Sequence, residues 1–211
     1  MESSTRSPRF CALLVFSLLL AGGLQAQNRN RARIKFTDFE LNNVPTPEYK
    51  DATHPQAKGE HEWLQIFTEY EASGGRGGWL DQGELRWYVL VKTAREQFIL
   101  LQAKVVYLDV ETKGEKHHAV VYIRPAFSRR YFDKERIPKA NIWVRVEAVV
   151  NGQVVETEKY GRSKSPPGSW WQAKEPRVKH VADTLLTRDR TPFAPMDYDF
   201  YEHIKPSTGI R

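Results

Sequence analysis

Ala140-Asn141-Ile142-Trp143-Val144-Arg145-Val146-Glu147-Ala148-Val149-Val150-Asn151-Gly152-Gln153-Val154-Val155 is the stretch that decides the fold. Ile142, Val144, Val146, Ala148 and Val150 fall on one side of an extended chain, and Trp143, Arg145 and Glu147 fall on the other. That period of two marks a strand with one face in a core. Asn151-Gly152 accepts the positive backbone dihedrals of a two-residue hairpin turn, and Gln153 to Tyr160, rich in valine and threonine, supplies the returning strand.

The same alternation recurs outward from this hairpin. Leu85, Trp87, Val89 and Val91 alternate with Arg86, Tyr88 and Lys92, behind a turn expected at Asp81-Gln82-Gly83. Ile99, Leu101, Ala103, Val105 and Tyr107 share one side of a long segment, Gln97 to Val110, expected near the centre of a sheet. Thr112-Lys113-Gly114 reads as a turn, after which Ala119, Val121 and Ile123 resume the pattern. Leu64, Ile66, Thr68 and Tyr70 form another candidate. Ile34 and Phe36 begin the earliest strand, whose phase slips at Thr37-Asp38 before Phe39 and Leu41, as a β-bulge requires.

About seven strands with little helical pattern predict a mainly β protein, an immunoglobulin-like antiparallel β-sandwich; a barrel is the competing closure. Two longer connections are expected, 42–60 and 127–139, the second with a helical turn at Tyr131 to Arg136 stopped by Pro138. From Ser163 the composition turns to proline, glycine and tryptophan. Val178, Val181, Ala182, Leu185 and Leu186 then have helical spacing behind Pro176, which predicts a short C-terminal helix on the sandwich. The segment from Thr191 to Lys205 is too aromatic for a solvated tail and is expected to dock. The organisation expected is a leader at 1–26, a sandwich domain at 27–162 and a C-terminal extension at 163–211.

The leader rests on an apolar block, Phe10 to Leu20, behind Arg6 and Arg9 and before Leu24-Gln25-Ala26. It is too short to cross a bilayer alone and reads as a secretory signal peptide cleaved after Ala26. Export to the periplasm or the outer cell surface is the expectation, which sets nucleic acid aside as a partner. Cys11 lies inside this block, so the exported chain is free of thiols, and thiol catalysis, thiolate metal sites and a disulfide scaffold are excluded. The net charge of +6 favours anionic partners such as acidic glycans, although 26 acidic residues are interspersed among 32 basic ones.

No motif calls for a cofactor or a metal. His117 and His118 are strand neighbours that project to opposite faces, and Gln65 stands where a zinc-protease helix after His61-Glu62 needs histidine. Ser73-Gly74-Gly75-Arg76-Gly77-Gly78 lacks the lysine ending and following helix of a phosphate loop, so a hairpin loop is expected, with Arg76 as a positively charged contact point. No nucleophile elbow is present. A carboxylate pair for sugar hydrolysis has no readable spacing, and an enzyme is not expected. The remaining binding candidates are Arg129, Arg130 and Tyr131 in a connection, Tyr198 and Tyr201 in the aromatic tail, and Trp170-Trp171. The tryptophans are read first as sealing the open end of the sandwich, and alternatively as a platform for a sugar ring or a polyproline-like partner.

The cleaved leader, the cysteine-free run of strands with the Asn151-Gly152 hairpin, and the Thr191-Pro192-Phe193-Ala194-Pro195 ending together resemble the exported immunoglobulin-like protein associated with the type IV pilus gene cluster of mucin-degrading gut bacteria. That resemblance implies an immunoglobulin-like fold related to archaeal pilus subunits, a role in pilus or envelope assembly, and association into a homo-oligomer. It carries over no catalytic residue. Ser7-Pro8-Arg9, and not a glycine, precedes the apolar block, which points away from a main filament subunit and towards an accessory component. The alternative function is a glycan-binding module.

Overall fold

The computed structural model describes residues 32–48, 61–161, 166–172 and 177–206 of the 211-residue chain. The expected leader, Cys11 and Pro176 lie outside the described residues. The period-two segments form seven long strands: β1 (Arg33–Pro45), β2 (Glu62–Ser73), β3 (Trp79–Lys92), β4 (Phe98–Glu111), β5 (Lys116–Ile123), β6 (Ile142–Val150) and β7 (Gln153–Gly161). Two three-residue strands follow, β8 (Val178–His180) and β9 (Leu185–Thr187). A four-stranded sheet runs β1-β2-β5-β9 and a five-stranded sheet runs β7-β6-β3-β4-β8. The protein is a mainly β, two-layer sandwich, antiparallel except where β8 runs parallel to β4.

One side of every long strand meets in the space between the sheets. Ile66, Trp87, Val89, Ile99, Leu101, Val121, Val144 and Val146 are buried there, each from a position the alternation assigns to the core. The Asn151-Gly152 turn has φ of 51° and 76°, the left-handed region a two-residue hairpin uses. The slip in β1 is a register shift between Phe36 and Asp38 opposite β2. A second shift in β7 leaves Val155 as an extra residue, since Ala148 faces Glu156 while Val149 faces Val154.

Four expectations are corrected. The helical spacing of 178–186 does not form the C-terminal helix. Asp183, at φ 52°, breaks the segment, and its apolar residues go to three places. Val178 joins the outer face of the five-stranded sheet, Leu185 enters the central core, and Leu186 lies on the outer face of the four-stranded sheet. The described α-helix is instead α1 (Pro125–Phe132), six residues before the expected helical turn, with proline in its first turn and Asp133 at φ 53° closing it. Asp81-Gln82-Gly83 lies within β3 and is not a turn. The glycine-rich stretch 74–78 does not join β2 to β3 as a hairpin, because those strands belong to different sheets and the loop crosses between them; within it Arg76 and Trp79 exchange backbone hydrogen bonds around Gly77-Gly78 as a local tight turn. Among the described residues, no helix is long and apolar enough to cross a membrane.

Candidate functional site

Both sheets carry a second buried layer on the side away from the core. On the five-stranded sheet, Leu90, Leu100 and Trp143 point outward, and Val178 and Trp170 close over them. Trp170 sits in a 3-10 turn, Trp170–Gln172, entered through Ser169 at φ 52°. The tryptophans thus cover a sheet face, and do not plug the open end of the sandwich. Trp170 is 5% exposed, whereas Trp171, set perpendicular to it at 6.0 Å, is half-buried.

Arg145 Cζ lies 4.4 Å and Lys159 Nζ 5.8 Å from the centre of the Trp171 ring. These two cations face each other across the β6–β7 ladder. Like charges directly opposite on a sheet repel. Arg145 is compensated by Glu147, at 2.6 Å from Nη2 and 2.8 Å from Nε. No carboxylate among the described residues pairs with Lys159. Together with Trp143, Gly161 and Pro166 these side chains line an open pocket of about 320 Å³. Gly161 is required at its rim, since a Cβ there would lie 2.5 Å from Trp143 Cδ1. The buried Nε1 of Trp143 has no hydrogen-bond partner among the described residues.

On the four-stranded sheet, Trp63, Val120, Tyr122, Leu186 and Phe193 form the outer layer, with Phe193 stacked on Tyr122 at 4.6 Å. Tyr201 packs against it, under the Arg188 guanidinium at 5.0 Å. Arg188 Nη1 donates to the carbonyls of Ala194 and Met196, at 2.6 and 3.2 Å, and so folds the Pro192–Met196 turn. Phe200 stacks on His118 at 3.8 Å. The tail then crosses the flank of the sandwich. Glu202 Oε1 meets His117 Nδ1 at 2.5 Å, Ile204 bridges to Tyr107, and the backbone N–H of Lys205 donates to Val106 O.

His117 is buried between two acceptors, the Glu202 carboxylate and, at 2.7 Å from Nε2, the Glu111 carbonyl. A neutral imidazole donates only one hydrogen bond; the imidazolium donates both. Burial works against the charged ring, but the Glu202 hydrogen bond and charge, the Glu111 carbonyl and the charge of Glu115 outweigh it, so the pKa is raised. Tyr70 packs at 5.2 Å, its own phenol held well above the usual range by burial.

The structure disperses the residues expected to bind. Arg76 is exposed in the 74–78 crossing, at the edge of a separate groove of about 740 Å³ beside Trp79, which is 45% exposed. Arg129 and Arg130 lie exposed on α1. Arg129 Nη1 is 2.9 Å from His61 Nδ1 and 3.5 Å from Glu135, and Arg130 lies over the Tyr131 ring, which packs on Phe127. Tyr201 is committed to the tail's own packing. Tyr198 falls in the 3-10 turn Tyr198–Phe200, and its side chain lies outside what is described. Only Trp170 and Trp171 come together at a pocket, and the partners that matter there, Arg145 and Lys159, are missed by the sequence reading. Among the described residues no group of three or more His, Cys, Asp or Glu is placed to hold a metal ion. His117 and His118 do project to opposite faces.

Among solved structures, the chain is similar to a crystal structure of a protein from Akkermansia muciniphila. The TM-score is 0.72 at 23% identity, over 83% of this chain and 94% of that one. At that identity the likeness shows the fold. No curated protein matches. A family model matches residues 25–208, from before the first described strand to beyond the last described residue of the docked tail. The chain therefore belongs to the family that this model describes.

Proposed function

We propose that this protein is an exported, non-enzymatic interaction module that serves as an accessory component of pilus or cell-envelope assembly, at the periplasm or the outer surface. It associates with itself or with envelope proteins through one flank of the sandwich. The observation that carries the reading is the unequal treatment of the sheet edges. On one flank the extension covers part of each edge: β8 pairs with Phe98–Leu100 of β4, the tail pairs at Val106–Leu108, and β9 covers Val121–Ile123 of β5. On the other flank the outermost strands are the 13-residue β1 and the 9-residue β7. Phe39 and Tyr160 stack at 5.0 Å beneath them, but no backbone hydrogen bond joins them among the described residues. Unpaired strand edges template pairing with another chain. Val154 on β7 is 50% exposed and marks this flank. The apolar leader block and the resemblance to a pilus-associated protein support the cellular setting.

A photo-crosslinking amino acid placed at Val154, and separately at Met196 on the sealed side, tests the reading in cells. Adducts with a second copy or an envelope protein are expected from position 154 and not from 196. Adducts from 196 alone, from both alike, or from neither overturn it.

A further inference from the structure

We propose that the pocket formed by Trp171, Arg145 and Lys159 binds a sugar residue that carries a carboxylate or sulfate group. The starting point is a register that the protein sets against its own electrostatics. A two-residue turn at Asn151-Gly152 pairs Val150 with Gln153, and continued without interruption it would set Arg145 opposite Glu158, an opposite-charge pair. The extra residue at Val155 moves every later partner by one, so that Arg145 faces Lys159 and Glu158 faces Val146. A favourable cross-strand pair is thereby replaced by a repulsive one. The repulsion is relieved on one member only, because Glu147 engages Arg145. Lys159 is left as an exposed charge whose only described non-covalent partner is the Trp171 ring.

The surroundings complement an acidic sugar in two ways. The lining among the described residues contains two cations and no carboxylate, which favours an anionic group. Its walls are aromatic, with Trp171 half-buried, Trp170 behind it and Trp143 at the base. A bare anion gains nothing from tryptophan, whereas a pyranose presents an apolar C–H face to a ring and polar groups at its edge. At about 320 Å³ the pocket stands at the small end of the roughly 300–1,000 Å³ range of ligand sites, which suits one residue of a glycan chain.

The groove beside Trp79 is lined by Asp81 and Glu84 as well as Arg76 and Arg86, so its charge favours no ligand sign. The anion-selective site is the one at Trp171.

The test is a titration of the full chain followed by tryptophan fluorescence. The acidic probes are 3′-sialyllactose and N-acetylglucosamine 6-sulfate; lactose, N-acetylglucosamine, sodium sulfate and a tri-glutamate peptide are the controls. The expected result is saturable quenching by at least one acidic sugar, at least tenfold weaker response to its neutral parent, to sulfate alone and to the peptide, and loss of affinity as salt is raised. Which acidic sugar binds distinguishes carboxylate from sulfate recognition. Lys159→Ala is expected to weaken binding at least fivefold with the melting temperature unchanged. Lys159→Glu restores an opposite-charge pair with Arg145, so it is expected to melt no lower than the parent and yet to abolish binding. The proposal is overturned if no acidic sugar gives saturable quenching. It is equally overturned if neutral sugar, sulfate or peptide binds as well, or if both Lys159 variants bind like the parent.

Discussion

The space between the two sheets and the layers on their outer sides are both buried, but they are assembled by different rules. The central core is filled almost wholly by alternate residues of the seven long strands, whose inward face is set locally by the period of two. The outer layers are filled from far away. Trp170 and Val178 cover Leu90 and Leu100, and Phe193 covers Tyr122, through a segment that touches both sheets. A single sandwich can therefore hold three apolar clusters when its last fifth wraps the other four. The difference predicts that damage to the centre is global and damage to the wrap is local.

The largest expected effect is Trp87→Ala, at the fully buried centre of β3. Loss of a buried tryptophan costs about 3–5 kcal/mol. Chemical denaturation should show a single cooperative transition shifted as a whole. Separate transitions for sheet and wrap would break the distinction from the other side. Phe193→Ala should cost about 3 kcal/mol, at the lower end because the ring lies at the surface of its cluster. Hydrogen exchange should then show loss of protection in the 185–205 stretch with β3 and β6 unchanged. If the central strands lose protection equally, wrap and core are one unit.

The smallest effect sharpens the comparison by pH. Because the folded pKa of His117 is raised, its contribution to docking is fully present below the ordinary histidine value of about 6.5 and is lost as pH rises through the folded value. Protease susceptibility of the tail should therefore increase with pH above about 6.5, and His117→Gln should flatten that dependence. A tail whose susceptibility is constant across the same range would show that the Glu202 contact does not secure it.

How far the sequence could be read follows the same division. Ile142 to Val150, the turn at Asn151-Gly152 and the slip at Thr37-Asp38 were legible because each is a local pattern tied to one face or one turn type. So was the opposite projection of His117 and His118. The 178–187 segment was not. Its apolar residues serve three clusters, and their helical spacing is a coincidence of those separate destinations. The candidate site was legible only in its tryptophans. Arg145 and Lys159 became neighbours through one extra residue at Val155, and Val-Val-Glu-Thr carries no turn or glycine signal for a bulge there. The shifted register sets Tyr160, and not Lys159, opposite Val144, where Tyr160 packs against the central core and stacks on Phe39.

The parallel pairing of β8 with β4 joins residues about eighty positions apart, and the strand that seals the flank is synthesised after all seven long strands. Until residues 166–206 have emerged from the ribosome, the nascent sandwich shows two oily outer surfaces and a bare β4 margin to its neighbours. Crowding of nascent chains at that stage is where this protein is most prone to aggregate, well before any finished molecule meets its partner.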